Sequence, residues 1–307
     1  MTQMQNVQYA LLFGVWKLLS LLPLRLMYVL SDVLYVLLYY GVRYRRKVVR
    51  KNLTECFPEK PLEEIERIER WFYHYFVDYI WETCKMASMT ERQMRRRMVF
   101  ENMEEVEAEL RQGRSVSLYL GHYCNWEWVS SIPIHVGKDV RYAPGQIYHK
   151  IYNPPVNRLF LKNRSLFGVE SVEMRDTLRW IAARVRQQMP SLVGYISDQA
   201  PVWNSIHHWV DFLHHDTPAF TGTERITKKY GFAAYYVDIV RERRGYYRAR
   251  FVRLHDDPAS LPDFALTDLY YRHLEATLRR APEFYLWSHN RFKRTREEYN
   301  RRMAQKS

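Results

Sequence analysis

SVSLYLGHYCNWEW, Ser115 to Trp128, decides the fold. Ser115 to Leu120 is a short apolar run stopped by Gly121, which is how a buried strand reads. After the turn at Gly121, the sequence up to Val136 reads as a helix. The same alternation recurs downstream. DVRYAPG is a strand, and NPPVNRLFLKNRSLFG is a helix stopped by Gly168. TLRWIAARVRQQ is a helix, and SLVGYIS, Ser191 to Ser197, is a buried strand ending at DQAP. TPAFTGTERITKKYG is a helix with threonines at its start, and AAYYVDIVRERRGYYRARFVRL is two strands joined around Arg244 and Gly245. Strands alternating with helices predict an α/β fold, a mostly parallel sheet flanked by helices on both faces. In such sheets the sites lie where strands end and helices begin. His122 and Asp198 both fall at such ends.

Upstream, PLEEIERIERWFYHYFVDYIWETCKMA is an amphipathic helix with proline and acidic residues at its start. RQMRRRMVFEN is a charged connection, and MEEVEAELRQG is a helix closed by Gly113. The 307 residues suffice for one substantial core with an appended element. Cys56, Cys84 and Cys124 show no CxxC spacing, which argues against a disulfide framework or a zinc knuckle and fits a reducing compartment. The formal charge of +13 predicts an anionic partner, either a phosphate-rich lipid surface or nucleic acid.

From Val7 to Val42 the chain is predominantly apolar, interrupted by Lys17, Arg25 and Asp32 and divided by Pro23. The second piece, LRLMYVLSDVLYVLLYYGV, is about as long as the roughly 17–25 residues a bilayer span needs. RYRRKVVRK follows at once, a cluster that holds its end on the cytoplasmic side and meets anionic headgroups. The start carries no signal-peptide pattern, so residues 1–43 are expected to persist as an N-terminal membrane anchor before a body spanning 44–307. A hairpin of buried core helices is the competing reading.

His122 and Glu127 stand five positions apart. On a regular helix that is a turn of roughly 140°, so they meet only if His122 sits in the bend before the helix. Glu127 would then fix the imidazole tautomer and leave the other ring nitrogen free as a base. The alternative is a core histidine bonded to a carbonyl. GHYCN lacks the G-x-S-x-G nucleophile pattern, and Cys124 in its aromatic stretch reads as packing. His207 to His215 gathers four histidines with Asp211 and Asp216, but as a strand it would hold His208 and His214 on one face too far apart for one ion.

GHYCNWEW resembles the G-H-x-G-N-W-E block of the bacterial lipid A late acyltransferases, within the lysophospholipid acyltransferase group and its H-x4-D/E signature. Other blocks agree in the same order: RRKVVRKNLTECFPEKP, YISDQAP, PAFTGTERITKKYG and APEFYLWSHNRFKRT. Cys124 departs from the family's glycine, and WVDFLHHDTPAF from its usual approach to the P-A block.

The resemblance implies His122 as general base with Glu127 as its partner, and Asn125 beside the imidazole in a positioning or oxyanion role. It places Arg164 at the active site for an oxyanion or phosphate, and Asp198 and Gln199 in the cleft wall. It gives His289, Arg291 and Lys293 as basic groups that meet the acceptor's phosphates or close the fold. It implies a membrane O-acyltransferase at the cytoplasmic face of a bacterial inner membrane. The donor is an acyl carrier protein or coenzyme A thioester, the acceptor a lipid A precursor, and neither cofactor nor metal is needed. A hydrophobic groove for the acyl chain should adjoin the His122 turn. Acylation of another lysolipid or amino-acid lipid, or a non-catalytic protein whose arginines meet membrane or nucleic-acid phosphates, are the competing functions.

Overall fold

The computed structural model describes residues 2–305. The chain opens with α1 (Gln3–Ser20), α2 (Leu24–Val36, prolonged by a wider π turn over Leu37–Val42), α3 (Arg46–Cys56) and α4 (Leu62–Lys85). Then come α5 (Glu91–Arg97), β1 (Met98–Glu101), α6 (Met103–Arg111), β2 (Val116–Leu120), β3 (Ala143–Tyr148), α7 (Pro154–Arg164), β4 (Glu170–Glu173), α8 (Thr177–Arg186) and β5 (Ser191–Ile196). The hairpin β6 (His208–Phe212) and β7 (His215–Ala219) leads to α9 (Gly222–Tyr230), β8 (Ala233–Arg243), β9 (Tyr246–His255), α10 (Ala265–Arg280) and α11 (Arg296–Ala304).

The seven-stranded sheet has the order β1-β9-β8-β2-β5-β3-β4. Every neighbouring pair is parallel except the hairpin β8–β9, so the expected mostly parallel α/β sheet is what the chain forms. β2 is buried along its whole length, as its unbroken apolar run requires of a central strand. Coverage of both faces shows in the alternation along β5. Leu192 joins the main core, while Val193 and Tyr195 face a second cluster with Trp180 and Ile181 of α8 and Ile226 of α9.

Several local expectations fail. RQMRRRMVFEN is not a connection: Thr90 caps α5 through a capping box with Gln93, and Met98–Glu101 adds an edge strand beside β9. The stretch after His122 forms no α-helix but a 3-10 turn over Trp128–Ile134, because Pro133 lacks the N–H that an α-helix would use. The threonines Thr217 and Thr221 do not open a helix together: Thr217 belongs to β7, and α9 starts only at Gly222. His214 lies off the strand, in a two-residue turn with Leu213 in which both backbones are left-handed (φ 65° and 51°), the geometry that matches hairpin twist.

The N-terminal helices lie along the body. α1 sets Trp16 against Phe160 of α7, places its Phe13 ring under the Lys162 ammonium at 3.9 Å, and sends Lys17 Nζ to the carbonyl of Ala87. α2 follows α4, donating Ser31 Oγ to Asp78 at 2.7 Å and Tyr28 Oη to Glu82 at 2.9 Å. Asp32, the charge that interrupts the apolar run, receives Arg244 Nη2 at 2.6 Å. Gly245, in the β8–β9 turn, is left-handed (φ 74°), and a Cβ there would collide with the Tyr28 hydroxyl. The opposite faces are apolar and open: Val7, Leu11, Val15 and Leu18 on α1, and Leu26, Val29, Val33 and Val36 on α2. By length and composition Leu24–Val42 is able to cross a bilayer, yet only 22% of that stretch is buried, so it is no core hairpin.

Candidate active site

The parallel pairing of β2 with β5 puts Leu120 opposite Ile196. Two residues past each strand end stand His122 and Asp198, side by side. Asp198 accepts the His122 main-chain N–H through Oδ2 at 2.8 Å and meets the ring Nδ1 through Oδ1 at 2.6 Å. Gly121 lets the bend pack closely on α10, since a Cβ there would stand 2.6 Å from Leu274 Cδ1. Tyr270 of α10 donates to the Leu120 carbonyl at 2.7 Å and fixes the strand end.

Asp198 is 1% exposed. Burial alone would push its carboxyl up. The facing imidazole, its two hydrogen bonds and the charge of Arg291 outweigh that and hold it below the usual carboxylate range. An anionic Asp198 accepts the Nδ1 proton and leaves the Nε2 lone pair outward. The Gln199 amide lies 3.3 Å from that Nε2, and the Trp126 ring packs edge-on at 5.3 Å. The His122 side chain keeps 20% of its surface open.

Glu127 is not the carboxylate on the imidazole, contrary to the pairing expected from the five-residue spacing. Arg164 holds it with two parallel bonds, Nε to Oε2 at 2.7 Å and Nη2 to Oε1 at 2.5 Å. The reason is the path between the two residues. Cys124 adopts a left-handed backbone (φ 48°), Trp126 N–H bonds back to the Cys124 carbonyl at 3.1 Å, and the tight bend aims Glu127 toward α7. The family's glycine at that position fits the same dihedral without a Cβ. Burial opposes the Arg164 charge, but Glu127 more than compensates and its pKa rises. Arg164 and Glu127 are therefore brought together as a pair of their own, bonded to each other and not to His122 or Asp198.

Asn125 is also corrected. It is fully buried and faces inward, donating Nδ2 to Glu82 Oε2 at 2.7 Å and accepting the Trp128 N–H at 3.2 Å. Both ends of its amide are engaged in the body, so it anchors the loop rather than facing a reacting oxygen. Arg291, 1% exposed, spends its guanidinium on Thr217 Oγ1, the Pro218 carbonyl and Tyr271 Oη. Of the two roles expected for it, closing the fold is the one its contacts support. His289 lies within electrostatic reach of His122 and Asp198, and burial pushes its imidazole down to about 4. Lys293 is exposed beside Arg294 and Arg45, and burial together with those cations lowers its ammonium.

The C-terminal block reaches the site through its backbone. Leu286 N–H bonds to the His122 carbonyl at 3.1 Å, and Cys124 N–H to the Phe284 carbonyl at 3.0 Å, so the segment Pro282–Trp287 straps the loop in place. Asn52 in α3 in turn holds that segment, donating to the carbonyls of Trp287 and His289 at 2.8 and 3.0 Å. Sequence reasoning ranked Asp198 as cleft wall. The signal for its closer role was the parallel register of the two strand ends. The histidines around the hairpin serve separate partners: His208 meets Asp268 at 2.7 Å, and His215 bonds the Leu213 carbonyl and stacks on Phe292. A groove of about 540 Å³ lies between β6 and α10, lined by Trp209, Asp268, Arg272 and Glu275, and neither His122, Asp198 nor Gln199 lines it.

Compared with known proteins, residues 1–294 match the bacterial lipid A biosynthesis acyltransferase family along nearly the whole chain. No curated protein matches it. A match of that extent, over a fold that brings the motif histidine to a strand end beside a buried carboxylate, makes this chain an acyltransferase of the bacterial lipid A biosynthesis family.

Proposed function

We propose that the protein moves a fatty acyl chain from an acyl carrier protein thioester to a hydroxyl of a lipid A precursor. The observation that carries this reading is the Asp198–His122 pair, in which the carboxylate engages Nδ1 and leaves Nε2 as the ring's basic atom. Nε2 takes the proton from the acceptor hydroxyl as its oxygen attacks the thioester carbonyl. Asp198 keeps the tautomer and stabilises the imidazolium that forms. The tetrahedral oxyanion then collapses, the C–S bond breaks, the ester C–O bond remains, and the imidazolium returns its proton to the departing thiolate. Because a thioester is already activated, no acyl-enzyme is required.

Gln199 stands beside Nε2 and is suited to hold the incoming hydroxyl. Arg164 keeps Nη1 outside its two bonds to Glu127, leaving a cationic donor for the developing oxyanion or for an acceptor phosphate. Glu127 fixes the plane of that guanidinium. Lys293, with Arg45 and Arg294 near it, supplies positive charge on the same side for phosphate or for the acidic carrier protein.

The outward apolar stripes of α1 and α2 support attachment to the cytoplasmic face of the inner membrane. With Asp32, Ser31 and Tyr28 bound to the body, α2 lies in the lipid interface and buries only its outer stripe there. The test of the reaction is acyl transfer to a lipid A precursor by membranes carrying His122→Ala, with wild type in parallel. The reading expects loss of transfer with the protein still membrane-bound. Undiminished transfer would reject His122 as the base.

A further inference from the structure

Glu82 sits on α4, fully buried, and accepts hydrogen bonds from three different parts of the molecule. Tyr28 of α2 donates to Oε1 at 2.9 Å, while Asn125 of the catalytic loop and Tyr247 of β9 donate to Oε2 at 2.7 and 2.8 Å. Its main-chain carbonyl also accepts Trp128 Nε1 at 3.1 Å, just past the loop's far end. One turn earlier on α4, Asp78 binds Ser31 of α2 together with Arg241 and Arg244, and Arg244 reaches on to Asp32. The polar face of α2 thus ends on two carboxylates of α4, and one of them, Glu82, also holds Asn125 in the loop between His122 and Glu127. The other face of the same helix is the exposed apolar stripe. A carboxylate buried with three donors from separate elements transmits displacement of any one of them, because no water stands by to replace a lost bond.

We propose that Glu82 is a positioning residue that ties the outward-facing helix α2 to the loop carrying His122, so that the seat of α2 on the body sets the aim of the base. This rests on the reading of His122 as the catalytic base. Glu82 touches no reacting atom; it acts through Asn125, whose other end fixes the Trp128 N–H. Burial raises the Glu82 carboxyl above its usual range, and Arg241 opposes that rise. Tyr28 is the only side chain of α2 bonded to this carboxylate among the described residues, so its hydroxyl is the link from the helix.

The experiment uses the full-length protein in anionic vesicles, with acyl carrier protein bearing a fatty acyl thioester and a lipid A precursor as substrates. Glu82→Gln keeps the shape but presents an amide donor where the carboxylate offered only acceptors. It is expected to lower kcat about tenfold with KM for the donor held within about twofold, the pattern of a misaimed group rather than lost binding. Tyr28→Phe, which removes one hydroxyl and threatens folding least, should lower kcat about threefold. The double variant should lose no more than Glu82→Gln alone, since both act on one path. A fall in melting temperature with kcat per folded molecule unchanged in both variants would overturn the proposal, and so would multiplicative losses in the double variant. His122→Ala is run alongside. If it retains transfer, the catalytic reading itself fails. If it is inactive while Glu82→Gln and Tyr28→Phe are fully active, only the positioning role fails.

Discussion

Asp198 and Glu127 are both carboxylates with almost no exposed surface, both within the same corner of the fold, yet they do different things. Asp198 faces an imidazole whose second nitrogen meets only the neutral Gln199 amide, so the pair has a proton-accepting atom left over. Glu127 faces a guanidinium that matches it with two bonds, so that pair is closed on the carboxylate side and is a fixed charge arrangement. What differs is the partner rather than the carboxylate, and the partner is chosen by the backbone. Strand register delivers Asp198 to His122, and a left-handed Cys124 turns Glu127 away from it.

The comparison is broken most sharply by removing the first pair. Asp198→Asn presents an amide to Nδ1 and favours the wrong tautomer, so transfer is expected to fall by about 10³–10⁴-fold, close to the loss in His122→Ala. Steady-state transfer rates on folded protein check this. The second pair is tested by stability. Arg164→Ala leaves Glu127 buried without its cation, and unfolding free energy should drop by about 3–5 kcal/mol, read by denaturant titration. If Asp198→Asn cost more stability than Arg164→Ala, the division of roles would be reversed.

A smaller effect comes from pH. Burial pushes His289 and His135 down to about 4, whereas in the unfolded chain each protonates near the ordinary value of about 6.5. Between those values the unfolded state binds more protons, so stability falls as pH drops through that window, by at most about 1.4 kcal/mol per pH unit for each group. Asp198 acts in the same direction at more acidic pH. Its depressed pKa contributes stability that is present above the ordinary carboxylate value and is lost only at lower pH, as it protonates in the folded state. His289→Gln should therefore flatten the melting-temperature profile between pH 6.5 and 4 and leave the more acidic limb. The smallest change is Cys124→Gly. Release of a left-handed strain of about 1–2 kcal/mol is offset by a lost buried side chain, so the melting temperature should move by only a few degrees.

Much of this was legible in the sequence. β2, β5 and the β8–β9 hairpin announce themselves by short apolar runs between turn residues, and α4 by its periodicity and acidic start. His122, Asp198 and Gln199 are readable from motif positions, and their side chains meet; Arg164 is readable in the same way, and its partner is Glu127. The pairing was not legible, because the angle between residues five apart is set by one dihedral, and a cysteine gives no warning of a left-handed one. Asn125 misled for the same reason: adjacency along the chain to a histidine does not say which side of the loop its amide faces. β1 was hidden because a four-residue edge strand directly after three arginines carries too little period to read. The role of Glu82 was hidden inside an amphipathic helix, where a glutamate on the inner face looks like any other until its donors from α2, β9 and the loop are in place.

The claim that Asp198, rather than Glu127, holds the catalytic imidazole is tested most directly by proton NMR of the His122 Nδ1–H. A strongly hydrogen-bonded proton at low field is expected in the wild type, retained in Glu127→Gln and lost in Asp198→Asn. Its loss in Glu127→Gln and survival in Asp198→Asn would contradict the account.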